Sequence, residues 1–315
     1  MTMEKKLISF IIPCYMSEGS VGLVIEEIIN TVSQRKLEYD YEIIAVNDNS
    51  PDGTFNVIKT FAENNSRIIA IDLAKNMGRH SALICGCHYA KGDYVVFVDD
   101  DLQCPVDKLW NLIKPLEDGD FDVSIAKYPK KKQSFIKNCG SKFNDIISNW
   151  LLNKKKELKA TNFSVMRSFV KDEMIKYSNP YPYMEGLMFR TTDRVTNVCM
   201  EERERTIGHG NYTLKKSISL WTNNFTSFSV KPLRLASLIG SLSAFLGFLL
   251  LIYVIIIKLS DPSVPMGYSS IMAAILFMGG TIMLMLGLMG EYIGRMYISI
   301  NNAPQFVVRN VVKRD

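Results

Sequence analysis

The sequence predicts an α/β protein with a doubly wound, mostly parallel sheet, followed by amphipathic interface helices and a two-helix transmembrane hairpin. Three observations predict it. Between residues 7 and 126, apolar runs of strand length alternate with segments of helical periodicity, as in successive βαβ units. The run Tyr94-Val95-Val96-Phe97-Val98 shows no polar alternation and stops at Asp99-Asp100-Asp101; such a run reads as a strand buried on both faces. Residues 235–257 and 268–290 carry no charged side chain, and each stretch exceeds the roughly 20 residues that cross a bilayer core.

Taken in order, residues 7–12 form the first strand, apolar apart from Ser9. Ser20 is placed to cap a helix running from Val21 to about Glu38, with Leu23, Ile25, Ile28 and Ile29 as its apolar face. Residues 42–46 form the second strand. It ends in Asn47-Asp48-Asn49-Ser50-Pro51-Asp52-Gly53, a cluster of turn formers. Residues 67–73 form the third strand and residues 81–90 a short helix of small residues. The central strand follows, Pro105 opens a helix to Glu117, and residues 122–126 form a further strand. Neither GxGxxG nor GxxxxGK[ST] occurs, which excludes the usual dinucleotide and P-loop fingerprints.

Ligands in open α/β sheets bind at the carboxyl ends of the strands, and the chemistry collects there. Asp99 and Asp101 are two residues apart, so on an extended chain they lean to one side. With the amide oxygen of Gln103 they make a hard-oxygen site suited to Mg²⁺ or Mn²⁺ that is also held by substrate phosphates. Asp48 ends the second strand, placed to hydrogen-bond a nucleobase or ribose; a simple Asx-turn is the alternative. Gly78 with Lys75, Arg79 and His80 opens a helix in the manner of a phosphate site. Arg203 and Arg205 carry forks suited to phosphate, against the alternative of a solvated loop.

Lysine and arginine number 37 against 32 acidic residues, so the chain is mildly basic at +5. Nothing resembles a nucleic-acid-binding module, and the basic residues gather beside apolar segments, where a membrane surface uses them. The cysteines (Cys14, Cys85, Cys87, Cys104, Cys139, Cys199) and histidines (His80, His88, His209) show no zinc spacing. Reduced cysteines in the cytosol are expected. No signal peptide is expected, since Pro13 ends the short apolar run. Residues 134–152 interleave Phe135, Ile146, Trp150 and Leu151 with lysines, reading as a basic amphipathic helix on a membrane surface or as an ordinary core-facing helix; the later spans favour the membrane. Residues 213–232 form a second interfacial candidate. Lys215, Lys216, Lys231 and Arg234 precede the first span, and Arg295, Arg309, Lys313 and Arg314 follow the second. The positive-inside rule then places both termini in the cytoplasm and Ser263 outside.

Several of these motifs share one resemblance. Ser9-Phe10-Ile11-Ile12-Pro13-Cys14-Tyr15, the turn from Val46 to Thr54, and Asn76-Met77-Gly78-Arg79-His80 resemble the family 2 glycosyltransferases of the GT-A fold. Asp99-Asp100-Asp101-Leu102-Gln103-Cys104-Pro105 is similar to the D-x-D-L-Q-x-P of the polyprenyl-phosphate members, such as dolichol-phosphate mannose synthase and its bacterial relatives with two closing spans. The resemblance implies that Pro13, Tyr15 and Glu18 line the nucleotide pocket and that Asp48 contacts the base; Arg79, from the phosphate-site reading, is counted with the cofactor-binding residues. It also implies that Asp99, Asp101 and Gln103 bind metal and diphosphate, and that Arg205 faces a phosphate near the reacting centre. The chain departs from the pattern at Cys104, Val106, Gly210 and Asn162.

The expected organisation is a cytoplasmic catalytic domain over residues 1–212, an interface helix at 213–232, membrane helices at 233–258 and 267–290, and a tail with a strand at 291–315. The expected activity is inverting, metal-dependent transfer of a sugar, from a nucleotide-sugar donor of the UDP type, to a polyprenyl phosphate at the cytoplasmic face of the membrane. A hydroxyl acceptor and an inactive membrane scaffold are the rivals. The tail strand, residues 305–312, is expected to pair with a sheet edge, in its own subunit or in a homo-oligomer.

Overall fold

Strand β1 (Lys6–Cys14) is buried from Ile8 to its end and lies between two neighbours, β2 (Tyr39–Asn47) and β4 (Tyr94–Phe97), both parallel to it. A continuous apolar strand has no solvent face, so it takes the middle of a sheet covered on both sides. The computed structural model describes residues 5–129, 158–201, 203, 231–260, 267–301 and 303–314. The remaining strands are β3 (Ile68–Leu73), β5 (Val123–Lys127), β6 (Ser164–Arg167), β7 (Val195–Cys199) and β8 (Val308–Lys313). They form one sheet in the order β7-β5-β6-β4-β1-β2-β3-β8. β6 and β8 run against the others. The mostly parallel sheet is as the sequence predicts.

The helices are α1 (Val21–Ser33), α2 (Thr54–Asn64), α3 (Arg79–Tyr89), α4 (Leu109–Glu117), α5 (Ser168–Met174) and α6 (Met184–Thr191). Three local expectations are corrected. First, α1 ends at Ser33, not Glu38, because residues 34–38 turn so that Tyr39 can enter β2 beside Lys6. Its buried face is Val21, Val24, Ile25, Ile28 and Val32, a cleaner helical stripe than the expected one, and Leu23 faces solvent. Second, Ser20 does not cap the helix through its side chain; its hydroxyl donates to Ser17 O. Third, Pro105 precedes a 3₁₀ turn (Val106–Lys108), and α4 starts only at Leu109.

No strand is expected from the sequence at β6 or β7. Both are short and carry Ser, Thr, Asn and Arg among their apolar residues, so neither offers an apolar run. β6 nevertheless inserts between β4 and β5, antiparallel to both. β8 is antiparallel to β3 and forms the sheet's edge. The expected tail strand therefore pairs within its own subunit, which removes it as an argument for a homo-oligomer. Arg309, Asn310 and Lys313 on this strand are exposed, a polar edge of the kind that resists further pairing.

The chain divides into two units. One comprises Met1–Leu214 with Asn302–Asp315, the other Lys215–Asn301. The second unit holds α7 (Lys231–Ser260) and α8 (Tyr268–Ile300). Within it, Phe277–Ile300 is long and apolar enough to cross a membrane, and none of it is buried; Ala236–Leu249 is a shorter apolar run. Leu242, Phe245, Phe248, Phe277, Met283 and Leu284 are all more than half exposed. The segments expected at the interface, 134–152 and 213–230, and the expected external loop at Ser263 lie outside the described residues.

Candidate active site

β1, β2, β3 and β4 are parallel and end on the same edge of the sheet, which places four loops together. Backbone-to-side-chain bonds stitch those loops. Tyr15 N donates to Asp100 Oδ2 at 3.0 Å, Met16 N to Ser50 Oγ at 3.1 Å and Ser17 N to Thr54 Oγ1 at 2.9 Å. Gly53 N donates to Glu18 Oε2 at 3.0 Å, and a Cβ at Gly53 would lie 2.6 Å from Glu18 Oε1. Glu18, expected at the nucleotide pocket, thus also shapes the loop after β2. Tyr15 is half exposed beside it.

Pro13 is buried inside β1 opposite Val46. A proline is tolerated in this central strand because pairing with β4 stops at Phe97, and Val98 N has already closed onto Ile11 O. The missing donor of Pro13 faces a position where the ladder has ended.

Asp48 is buried, and both its oxygens are engaged: Met77 N donates to Oδ1 at 2.7 Å and Gly78 N to Oδ2 at 2.8 Å. Burial raises its pKa, and the two amides work against that rise. Asp48 does not make the alternative Asx-turn; in this loop that turn belongs to Asp52, whose Oδ1 accepts from Thr54 N at 3.2 Å, while Asn47 Oδ1 accepts from Ser50 N at 3.3 Å. Gly78 adopts φ +88°, the region that side chains resist, and from there the chain enters α3 at Arg79.

The acidic run does not continue β4. It sits in a turn that Leu102 closes at φ +63°, with Gln103 N donating to Asp101 Oδ1 at 3.2 Å. Asp99 and Asp101 therefore do not lean to one side as alternate residues of an extended chain, because the backbone already turns at Asp100 and Asp101. Asp100 turns back onto Tyr15 N, and its pKa is pushed up to about 6, by burial first and by Asp99 and Asp101 after it.

Asp99 accepts from Arg79 Nε at 2.9 Å on Oδ1 and from Asn162 Nδ2 on Oδ2. Arg79 also lies 3.6 Å from Glu185 Oε1. Burial works against its charge, but Asp99 and Glu185 outweigh that and raise its pKa. Arg79 thus bridges two carboxylates beside the site. Arg203, expected from the sequence as a phosphate fork, pairs with Glu27 at 2.8 Å and Asp107 at 2.6 Å, and its backbone N donates to Gln103 O at 3.2 Å. It pins its segment beside the acidic turn. Arg205 lies outside the described residues.

A cleft of about 230 Å³ opens here, lined by Asp99, Gln103, Cys104, Tyr128, Thr161 and Asn162. In the sequence Asn162 stands out only as a departure from a pattern, and Thr161, Tyr128 and Glu185 do not stand out at all. Glu185 stands alone between Met184 and Gly186, with no signal that α6 would bury it against α3.

Among the described residues no cluster of three or more His, Cys, Asp or Glu is placed to hold a metal. Asp99 and Asp101 still fit a hard cation. Carboxylate oxygens carry lone pairs beyond those given to Arg79, Asn162 and Gln103, and Mg²⁺-type sites commonly use one or two carboxylates with substrate phosphates completing the shell. The five described cysteines are free, and burial pushes the thiols of Cys85, Cys87 and Cys104 up; none is offered as a ligand.

An open, mostly parallel sheet whose central strands end in acidic loops is the architecture of nucleotide-binding α/β proteins. The chain belongs to glycosyl transferase family 2, whose model matches residues 9–173, and a GtrB C-terminal hairpin matches residues 231–296. It is 31% identical to the uncharacterized glycosyltransferase YkcC of Bacillus subtilis, over 96% of this chain and 93% of that one. It is 30% identical to the undecaprenyl-phosphate 4-deoxy-4-formamido-L-arabinose transferase of Proteus mirabilis, over 99% and 96%. Among solved structures it is similar to glucosyl-3-phosphoglycerate synthase from Mycobacterium tuberculosis in complex with Mn²⁺, UDP-glucose and phosphoglyceric acid, at TM-score 0.50 and 18% identity, over 68% of this chain and 76% of that one. That likeness is one of fold.

Proposed function

We propose that the protein moves a sugar from a nucleotide-sugar, of the UDP type, to a polyprenyl phosphate at the cytoplasmic face of a membrane, inverting the anomeric carbon. The observation that carries this reading is the full-length relation to an undecaprenyl-phosphate sugar transferase, hairpin included. The site geometry supports it. Asp48 and the Asp99–Asp101 turn stand at the ends of β2 and β4, on either side of β1, about one nucleotide's reach apart by the spacing of roughly 5 Å per strand.

In this mechanism Asp48, with Tyr15 and Glu18 near it, takes the nucleoside. Asp99, Asp101 and Gln103 hold Mg²⁺ or Mn²⁺, which when bound supplies Lewis-acid stabilisation to the departing diphosphate. Arg79 holds Asp99 in place through its Nε hydrogen bond. A phosphate oxygen of the acceptor attacks C1 of the sugar, the C1–O bond to the diphosphate breaks, and its electron pair leaves with the nucleotide. A phosphate monoester has a second pKa near 6, so it is already a nucleophile at neutral pH and needs positioning rather than deprotonation. The neutral Asn162 beside Asp99 is compatible with that chemistry. Arg205 is assigned to hold the acceptor phosphate. The exposed apolar side chains of α7 and α8 are costly in water and support a pair of membrane spans, with both termini cytoplasmic by the distribution of Lys and Arg.

The test is a panel of nucleotide-sugars incubated with the detergent-purified protein, undecaprenyl phosphate and Mn²⁺. Release of nucleoside diphosphate from one donor, dependent on the lipid and abolished by a chelator, is expected. Release that ignores both the lipid and the chelator contradicts the reading.

A further inference from the structure

Arg309 lies on β8, which follows the second apolar helix in the chain, yet its guanidinium reaches the carboxyl ends of β2 and β3. Nη1 donates to Asp72 Oδ2 at 3.2 Å, and Nη2 donates to Ala74 O at 3.0 Å and to Asn49 Oδ1 at 3.3 Å. The register explains how. β8 pairs with β3 so that Asp72 faces Asn310 and Leu73 faces Val308, with a bulge between Asp72 and Leu73. Arg309 is the residue left over. A bulge re-aims the side chain it carries, and Ala74 N holds the strand's start through Val307 O at 2.8 Å.

The three acceptors matter because of where they sit. Asn49 follows Asp48 in the loop after β2. Ala74 opens the loop after β3, whose Met77 and Gly78 amides grip the Asp48 carboxylate. Asp72 is buried and also accepts from Asn47 Nδ2 at 2.8 Å. One planar fork therefore ties together the two loops that flank Asp48. A buried carboxylate needs such a partner, and the rigid geometry of a guanidinium spans several acceptors in a way a lysine ammonium does not.

We propose that Arg309 is a positioning residue for the donor nucleotide: it fixes the spacing of the loops on either side of Asp48. Nucleotide affinity then depends on a strand far outside residues 9–173, the segment that carries the glycosyltransferase match. The inference rests on the reading of Asp48 as the nucleoside contact.

Full-length protein in detergent is titrated calorimetrically with UDP and with GDP in the presence of Mn²⁺, as wild type, Arg309→Ala, Arg309→Lys and Arg314→Ala. Arg314 anchors the far end of β8 by donating to Asn64 O at 3.2 Å, so its variant loosens the same strand away from the site. Wild type is expected to bind one of the two nucleotides. Arg309→Ala should weaken that binding at least about tenfold, or 1.4 kcal/mol, and raise the donor KM more than it lowers kcat. Arg309→Lys should recover part of the loss, and Arg314→Ala should bind as wild type does. Unchanged binding in Arg309→Ala overturns the inference, as does an equal loss in Arg314→Ala. A wild type that binds neither nucleotide overturns the Asp48 reading, and the inference falls with it.

Discussion

Arg79 donates its Nε–H to Asp99 Oδ1 at 2.9 Å, which joins the start of α3 to the acidic turn after β4. Asn162 approaches the other oxygen of the same carboxylate, and Glu185 steadies the far side of the guanidinium. Arg79→Ala releases Asp99 from this frame. Small misplacements at a reacting centre cost on the order of a hundredfold in rate, and a fall of about that size in kcat/KM is expected, with partial recovery in Arg79→Lys. Steady-state kinetics with the identified donor checks it. Full activity in Arg79→Ala would show that Asp99 needs no such support.

The three consecutive aspartates should not respond alike. Asp101→Asn removes a charge from the hard-oxygen site, and transfer should drop at least about a hundredfold, since metal stabilisation of a leaving group is worth several kcal/mol. Asp100 faces Tyr15 N instead. Asp100→Asn keeps an amide oxygen for that donor and should leave Mn²⁺ affinity closer to wild type. Equal losses of Mn²⁺ affinity in the two variants would contradict the assignment.

Both oxygens of Asp48 accept from backbone amides. In Asp48→Asn one position becomes an NH₂ facing an N–H, so a buried donor loses its acceptor at a cost of about 1–3 kcal/mol. The variant should melt at a lower temperature and bind nucleoside diphosphate more weakly. Calorimetry on the same sample reads both. A variant with unaltered melting would mean that the two amides find other acceptors.

His80 gives a pH signature. Burial lowers its pKa, Glu185 and Asp99 pull it back up, Arg79 lowers it further, and the Tyr183 ring packs edge-on at 5.3 Å. The folded pKa lies below the unfolded value of about 6.5. As pH falls through 6.5 the unfolded chain takes up a proton that the fold refuses, so stability is lost towards acid and present above that value. Thermal midpoints measured from pH 7.5 down to 5.5 should fall more steeply for wild type than for His80→Gln. Parallel slopes would remove His80 as the source.

How much of this was legible follows from local physics. β4 and its acidic turn could be read because an unbroken apolar run meets three carboxylates, and β1 to β3 because each run ends in turn formers. β6 and β7 could not, since strands of four and five residues with Ser, Asn and Arg owe their state to the neighbours that pair with them. The place of Asp48 at a strand end is legible, but its partners come from a loop about 30 residues on. Glu185 and Arg309 carried no local signal. One depends on α6 packing near α3, and the other on the register of an antiparallel edge strand.

The proposed acceptor nucleophile is a lipid phosphate. Undecaprenyl phosphate and undecaprenol, offered separately with the same isotope-labelled nucleotide-sugar, test it by mass spectrometry of the extracted lipid. One labelled product is expected, with the mass of undecaprenyl phosphate plus a single sugar, and no labelled undecaprenol. Labelled undecaprenol formed at a comparable rate, or label found only on a non-phosphorylated lipid or glycan, would contradict it.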